Sequence, residues 1–582
     1  MKTAQVPTRM EVKSEGAFHQ KWAVNHTPPR YHAGMISKRW NSWTKLRLGF
    51  TAFGMALLFA GCNPSADQTG TLDRVDQVKA PAKRPKISQV EKAKEARRIG
   101  EELFSTLGLS RTNFAFDEDI LEEKAIRPDS RKEAILLPVE EVQTALAERL
   151  AWNKKSLGEI YAAQGRKDAG WDEAAQKTLE LFAEVRSLSQ TTTKKRAALD
   201  VDIAKTVQTA FDAGCRDPMI RYLNLRFHGT PGENGNSRGA ILQEQTEIAD
   251  AMEQSAYPPI RKFYSRLRAL EKLKELNRVT QAPASDEMES VRMLERCLGH
   301  LRDVLQDSTT PRDEAYDAVA EFLVEVDAPT DIRGAHFMAV YDLLLKHHGK
   351  SGLAAYFKGD FYIELAWSAR GSDWAYKVTD EGWKLFAQRL AVASAALNES
   401  WDLNPSDWRT AKRMLTVELG QGQGRPRMER WFRKAMKLNP NSYATVKAKL
   451  NYLEPKWYGS EQAMLSFGRE CLESDWGGLI PYLTVHAHER AAHYRAQNED
   501  LSYWNKPIVW KECQKAFDKL FRMDVDASGY DHNYALIAYR CGQYEEFERQ
   551  RKLLQPINYS YFGGRQAYQT MVTNAAAQLE RR

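Results

Sequence analysis

Trp401-Asp402-Leu403-Asn404-Pro405-Ser406-Asp407-Trp408 returns 35 residues later as Met436-Lys437-Leu438-Asn439-Pro440-Asn441-Ser442-Tyr443. The correspondence continues through Thr410 and Thr445, Lys412 and Lys447, and Leu415 and Leu450. Proline lacks the amide that a helical ladder needs and disfavours helical backbone just before it, so each Leu-Asn-Pro closes a helix. The Ser or Asn that follows can cap the next helix. Repetition at such a period is the mark of stacked helical hairpins, each burying its apolar face against a neighbour. Leu403 and Leu438 are therefore expected at buried, equivalent places along the seam between hairpins.

Helical spacing extends well outside the repeat. Val90, Ala93, Ala96, Ile99 and Leu103 recur at steps of three and four, as do Val142, Leu146 and Leu150, Leu179, Phe182 and Val185, and Met338, Tyr341, Leu344 and Leu345. Breaks fall at Pro128, Asp217-Pro218, Thr309-Thr310-Pro311 and Asp327-Ala328-Pro329. Strand-like alternation is scarce, so the fold class predicted is all-α. Ten of the 15 tryptophans lie between Trp367 and Trp510, which predicts a separate, bulky core in the second half. A soft boundary is placed near 350, at His348-Gly349-Lys350-Ser351-Gly352. The predicted organisation is a leader over 1–61, a tether over 62–89, a helical domain over 90–350 and stacked hairpins forming an α-solenoid over 351–582.

Counting back from Pro440, Ala435, Phe432 and Met428 occupy the small and aromatic places of a tetratricopeptide second helix. Gly542-Gln543-Tyr544-Glu545-Glu546-Phe547 is similar to the turn between the two helices of that repeat, with Phe547 where Ala is usual. The region thus resembles a degenerate tetratricopeptide (TPR-like) array. Tyr452-Leu453-Glu454-Pro455-Lys456-Trp457-Tyr458-Gly459-Ser460, after Met428-Glu429-Arg430-Trp431-Phe432, is also similar to an uncharacterised group of bacterial TPR-like proteins. That resemblance covers roughly 360–555 and implies a fold without an assigned activity.

The other end of the chain carries an address. Leu57-Leu58-Phe59-Ala60-Gly61-Cys62 closes an apolar stretch that begins near Leu48 and follows Lys38, Arg39, Lys45 and Arg47. A basic region, a short apolar run and small residues before a cut make an export signal. The apolar run is shorter than the ~20 residues of a membrane span. With Cys62 after Ala60-Gly61 the segment resembles the lipobox of bacterial lipoproteins, with Phe59 where Leu is usual. The resemblance implies acylation of Cys62, cleavage just before it, and a lipid anchor in a bacterial envelope membrane, on its periplasmic or extracytoplasmic face. An ordinary signal peptide or an uncleaved anchor is the alternative. A leader beginning at Met35 would be complete, which suggests that translation starts there. Asn63 to about Ser88, with Pro64, Pro81 and Pro85 and no hydrophobic period, reads as the tether.

Charge follows the leader. Residues 1–61 hold nine Lys/Arg and two Asp/Glu, so their net of +7 equals that of the whole chain, 84 − 77. From Cys62 onward 75 basic residues balance 75 acidic ones, which gives no electrostatic reason to expect nucleic acid as a partner. The remaining cysteines, Cys215, Cys297, Cys471, Cys513 and Cys541, are odd in number and form no Cys-x-x-Cys, so neither a zinc ribbon nor a disulfide scaffold is indicated. Most should be small buried apolar residues, with one or two disulfides open to an exported chain.

Candidate chemistry is sparse. His486-Ala487-His488-Glu489-Arg490-Ala491-Ala492-His493 imitates a zincin helix, but His488 and His493 are five apart, which turns one about 140° from the other. His486 and His493 share a face and are the only metal candidates retained. Glu399-Ser400 is similar to the start of a lytic transglycosylase signature, but Glu399 precedes Pro405 by one residue too many and the glycine-rich continuation is missing. Gly229-Thr230-Pro231-Gly232-Glu233-Asn234-Gly235-Asn236 and Gly420-Gln421-Gly422-Gln423-Gly424 lack the strand and the Gly-Lys-Ser/Thr ending of phosphate loops and read as turns. His347-His348 suits a helix C-terminus without a metal. No cofactor motif is found.

Two functions follow. The first is a membrane-anchored, non-catalytic scaffold binding protein or peptide, with Trp408, Trp431, Tyr443, Trp457 and Tyr458 as candidate ligand surface and at least half of them in the core. The alternative is a cell-envelope hydrolase, peptidoglycan- or metal-dependent, with its site in the superhelix groove.

Overall fold

A computed structural model describes residues 129–581 apart from 165–166, 189–192, 229–235, 281–283, 327–329, 372–374, 499 and 501. The leader, Cys62, the tether, the stripe from Val90 to Leu103, the glycine-rich run from Gly229 to Gly235 and the Asp327–Pro329 turn all lie outside the described residues.

An extended segment, 129–138, leads into α1 (Val139–Lys154), which passes through a π-helical turn (Lys155–Glu159) into α2 (Ile160–Ala163). There follow α3 (Asp172–Ser187), α4 (Lys194–Asp212), α5 (Pro218–His228), α6 (Asn236–Gln254), α7 (Pro259–Thr280), α8 (Ala284–Gln306), α9 (Arg312–Glu325) and α10 (Thr330–His348). Next come α11 (Gly352–Arg370), α12 (Asp380–Leu403), α13 (Trp408–Gln421), α14 (Arg425–Leu438), α15 (Tyr443–Tyr452), α16 (Glu461–Glu473) and α17 (Leu483–Ala496). The chain closes with α18 (Pro507–Arg522), α19 (Tyr530–Arg540), α20 (Tyr544–Leu553) and α21 (Arg565–Glu580). The described residues contain no strand. The fold is all-α, helix packed on neighbouring helix in repeat-like fashion. No helix among them is long and apolar enough to cross a membrane.

Four apolar clusters follow one another along the chain, and single helices serve two at once. In α6, Ile248 and Met252 face the first cluster while Ala249 belongs to the second. In α17, Leu483 and Ala487 close the second, and Val485 and Ala491 open the third. In α19, Tyr534 and Ile537 face the third, while Ala535 and Ala538 face the fourth. Successive side chains point in different directions around a helix, so one helix can join two cores. That is how a solenoid stays continuous without a single centre. The second cluster takes in Ala134 and runs from Ala249 to Ala487, with Leu343, Leu344, Leu353 and Ala354 on either side of residue 350.

The 35-residue echo is a repeated turn. Asn404 has φ −145° and ψ 81°, and Asn439 has φ −139° and ψ 84°. Asn404 N donates to Ser400 O and Asn439 N to Ala435 O, each at 2.9 Å. Asp407 and Ser442 then cap α13 and α15, accepting from Arg409 N and Thr445 N. Thr410 and Thr445 are fully buried, as is Leu450, and Leu415 nearly so.

The leucines depart from expectation. Leu403 is 51% exposed and Leu438 only half-buried, while Trp401 and Met436, two residues earlier, fill the core. The inward stripe of α12 is Leu390, Ala393, Leu397 and Trp401. Leu403 lies about 200° round the helix from Trp401 and faces outward. Met428, Phe432 and Ala435 are all buried, as the second-helix spacing requires. At the later turn Gly542 takes φ 68° and Phe547 is fully buried. Close helix approach comes from glycine: a Cβ on Gly359 of α11 would stand 2.5 Å from Leu397 Cγ on α12.

A second departure lies in α1. Val142 and Leu146 are exposed, and with Ile135, Leu136, Leu137 and Val139 they form an apolar run that no described helix covers. Leu179, Phe182 and Val185 are buried as expected, as is Leu344.

The first two cores are joined by a buried ionic knot. Glu314 of α9, fully buried, accepts from Arg149 of α1 at 2.8 and 2.9 Å and pairs with Arg186 of α3. Arg149 also meets Asp317 at 3.3 Å, and Arg261 of α7 donates to Ser156 Oγ at 3.0 Å and to Asn153. Burial pushes the Glu314 carboxyl up, but Arg186, Arg149 and Arg261 outweigh it and hold it at about 2. Burial pulls the Arg261 guanidinium down to about 10.

Candidate functional site

The five aromatic candidates separate by burial. Trp431 is 1% exposed, packed in the core, and meets Trp401 edge to face at 5.5 Å. Trp457 packs edge to face on Trp367 at 5.7 Å beneath Arg370. Tyr443 bridges the second and third cores and is hydrogen-bonded to His486 Nδ1 at 2.7 Å. Trp408 is half-buried at the start of α13. Tyr458 alone is open, at 44%, and its hydroxyl donates to Leu419 O at 3.1 Å.

The histidines do not converge. His486 lies against Tyr443 and Tyr482, and burial, with Lys447 nearby, pulls its pKa down to about 3. His493 is exposed and is hydrogen-bonded to Gln497 Nε2 at 3.0 Å. The buried one is His488, held between Tyr503 Oη at 2.8 Å and Glu512 Oε2 at 3.0 Å. Among the described residues no group of three or more His, Cys, Asp or Glu is placed to hold a metal ion. Glu399 stands exposed on α12. The five described cysteines are buried and unpaired. Gly422, at φ 65°, ends α13, and Gly424 at φ 94° precedes α14, so the glycine-rich run is a tight turn.

The most developed polar site was not anticipated. Residues 129–135 run as non-helical chain across α12 and α14, second helices of adjacent hairpins. Three alternate carbonyls are captured. Ser130 O accepts from Lys434 Nζ at 3.1 Å, Lys132 O from Trp401 Nε1 at 2.8 Å, and Ala134 O from Lys437 Nζ at 3.0 Å. A two-residue period is what an extended chain presents along one edge. Its amides are also used: Ser130 N donates to Asn398 Oδ1 at 2.7 Å and Ile135 N to Pro405 O at 3.1 Å. Lys132 Nζ donates to Asp402 O at 2.6 Å, and Ser130 Oγ to Asp402 Oδ1 at 2.5 Å.

Two further side chains of the segment enter the seam. Asp129 pairs with Arg427, and with Arg430 at 3.1 Å. Ala134 is 4% exposed and joins the second core. Arg131, Glu133 and Leu136 are exposed.

The floor of the seam is a basic stripe. Arg427, Arg430, Lys434 and Lys437 recur at steps of three and four along one face of α14. Lys434 is nearly buried and sits over the rings of Trp431 at 4.4 Å and Trp401 at 5.1 Å. An ammonium over indole faces gains from the ring quadrupole. Burial pulls its pKa down, and Glu133 and Asp129 oppose that. Behind the stripe Glu418 meets Arg427 at 3.0 Å, and burial lifts its carboxyl to about 7.

The signals for this site were present in the sequence. Pro128 and Pro138 bracket nine residues without helical period, and the stripe on α14 shows in its spacing. What joins them is a contact between residues 268 to 304 positions apart, made largely to backbone atoms.

No protein-family model matches this chain, and no curated protein matches it. The class of molecule defined is an all-α helical-repeat protein carrying a seam that holds an extended segment.

Proposed function

We propose that this is an envelope lipoprotein, anchored in a membrane through acylated Cys62, whose TPR-like helices bind extended segments of protein without catalysis. One observation carries the binding part: α12, α14 and the turn after α12 already hold the seven residues 129–135, chiefly through their backbone. Backbone capture gives affinity that tolerates many sequences, while a few side-chain places give selectivity. The anchor rests on the lipobox resemblance at Cys62. The hydrolase reading would need convergent polar groups about a reacting atom, and the candidates His486, His493 and Glu399 do not come together.

Two experiments test this reading. Metabolic labelling with a fatty acid should mark the wild type and leave Cys62→Ala unlabelled, and equal labelling would refute the anchor. A photo-crosslinking residue in place of Arg430, half-exposed at the seam, should join the chain to an envelope protein. Release of soluble fragments from labelled peptidoglycan by the purified chain would decide instead for the hydrolase.

A further inference from the structure

We propose that residues 129–138 are a displaceable resident ligand of the α12–α14 seam. Its partner in trans would be an extended peptide with an acidic residue first and a small residue five places later. This rests on the peptide-binding reading above and names the site and ligand chemistry for it.

Charge complementarity comes first. Arg427, Arg430, Lys434 and Lys437 line one face of α14, and Asp129 is the carboxylate that the segment brings to it. Remove the segment and Arg427 keeps Glu418 while Arg430, Lys434 and Lys437 face solvent or one another, so an occupant without an acid in that place fits poorly. Charge-assisted pairs to arginine are among the stronger polar contacts.

Shape comes second. Ala134 is buried where it meets the core, and a larger residue there would have to displace packed side chains. Between these two anchors the seam reads carbonyls, and Arg131 and Glu133 are exposed. The seam therefore selects at the first and sixth places and tolerates variety between them.

Displaceability follows from how the segment is attached. Its contacts are polar, some part-buried and some exposed, with one small apolar side chain buried, whereas α12 and α14 are fixed by Trp401, Trp431, Phe432 and Met428 beneath. Local opening is easiest where few apolar contacts are lost. The segment can leave while the helices remain. Tethering holds it at an effective concentration of order millimolar, so it masks the seam against weaker competitors.

The test uses the full-length chain and a fluorescein-labelled peptide with the sequence of residues 129–138. Binding is followed by anisotropy in wild type and in Asp129→Ala/Ser130→Ala, whose own segment is weakened. The double variant should bind the peptide about tenfold or more tighter than wild type. Adding Lys434→Met to it, or replacing the peptide's aspartate with alanine, should each lose about tenfold. No anisotropy change at millimolar peptide, in a double variant whose circular dichroism matches wild type, would overturn the proposal.

Hydrogen exchange on the unmodified chain supplies a measure that needs no variant. The amides of Ser130 and Ile135 should exchange through openings that leave α12 and α14 protected. If they exchange only together with those helices, the segment is a fixed clasp and the proposal fails. Cross-links from position 430 that persist after such a failure would leave the scaffold reading standing.

Discussion

Glu314→Ala should destabilise the chain by roughly 3–5 kcal/mol, the size expected when one partner of a buried ionic cluster is removed. Glu314 is the fully buried carboxylate on which Arg149 and Arg186 converge, and Asn153 approaches it at 3.4 Å. Its loss leaves guanidiniums from α1 and α3 in a desolvated junction with Asp317 as the remaining acid of the cluster. Because the knot sits between the first and second apolar clusters, damage should begin there. Urea unfolding followed by hydrogen exchange would place the earliest loss in α1, α3 and α9, with α18–α21 intact. A Glu314→Ala chain as resistant to urea as wild type would show that the knot contributes nothing to holding the cores together.

The same carboxyl makes a pH prediction. Its folded pKa, about 2, lies below the ordinary value of 4.5. A depressed carboxyl contributes stability that is present above its unfolded pKa and is lost as pH falls through the folded one. The Glu314 contribution should thus be full at pH 6 and fade between about 4.5 and 2. From the shift it is on the order of 3 kcal/mol. Glu314→Gln should flatten wild type's loss of stability across that window. An unchanged acid limb in the variant would assign it to other groups.

The sequence made some of this legible and hid the rest for physical reasons. Asn404-Pro405 and Asn439-Pro440 announce turns because proline acts locally, and the two turns agree in backbone and hydrogen bonds. Leu403 was misplaced because the repeat identifies equivalent residues without saying which way they point. Only the stripe Leu390, Ala393, Leu397 and Trp401 does that. His486 and His493 share a helical face yet take separate partners, since a heptad spacing on one helix supplies only two ligands. The seam is not legible in the sequence because backbone carbonyls leave no mark in residue types. Lysines that capture backbone look like any solvated basic face.

Trp401→Ala should have the other large effect, about 3–5 kcal/mol, as for truncation of a buried large aromatic. Trp401 is fully buried, ends the inward stripe of α12 and packs edge to face on Trp431. It also reaches out of the core, donating Nε1–H to Lys132 O at 2.8 Å. One side chain therefore fixes the adjacent hairpins to each other and the extended segment to both. Trp401→Phe separates the two roles, keeping an aromatic ring in the core and deleting the donor. A single hydrogen bond contributes about 0.5–1.5 kcal/mol, so global unfolding should move little in that variant. Exchange at Ser130 and Ile135 should quicken nonetheless, because the segment has lost one of three carbonyl contacts. In Trp401→Ala both readouts should move, with α12 and α14 losing protection along with the segment. If Trp401→Phe leaves exchange in 129–138 at the wild-type rate, the indole belongs to the core alone. The lysines of α14 would then hold the segment without it.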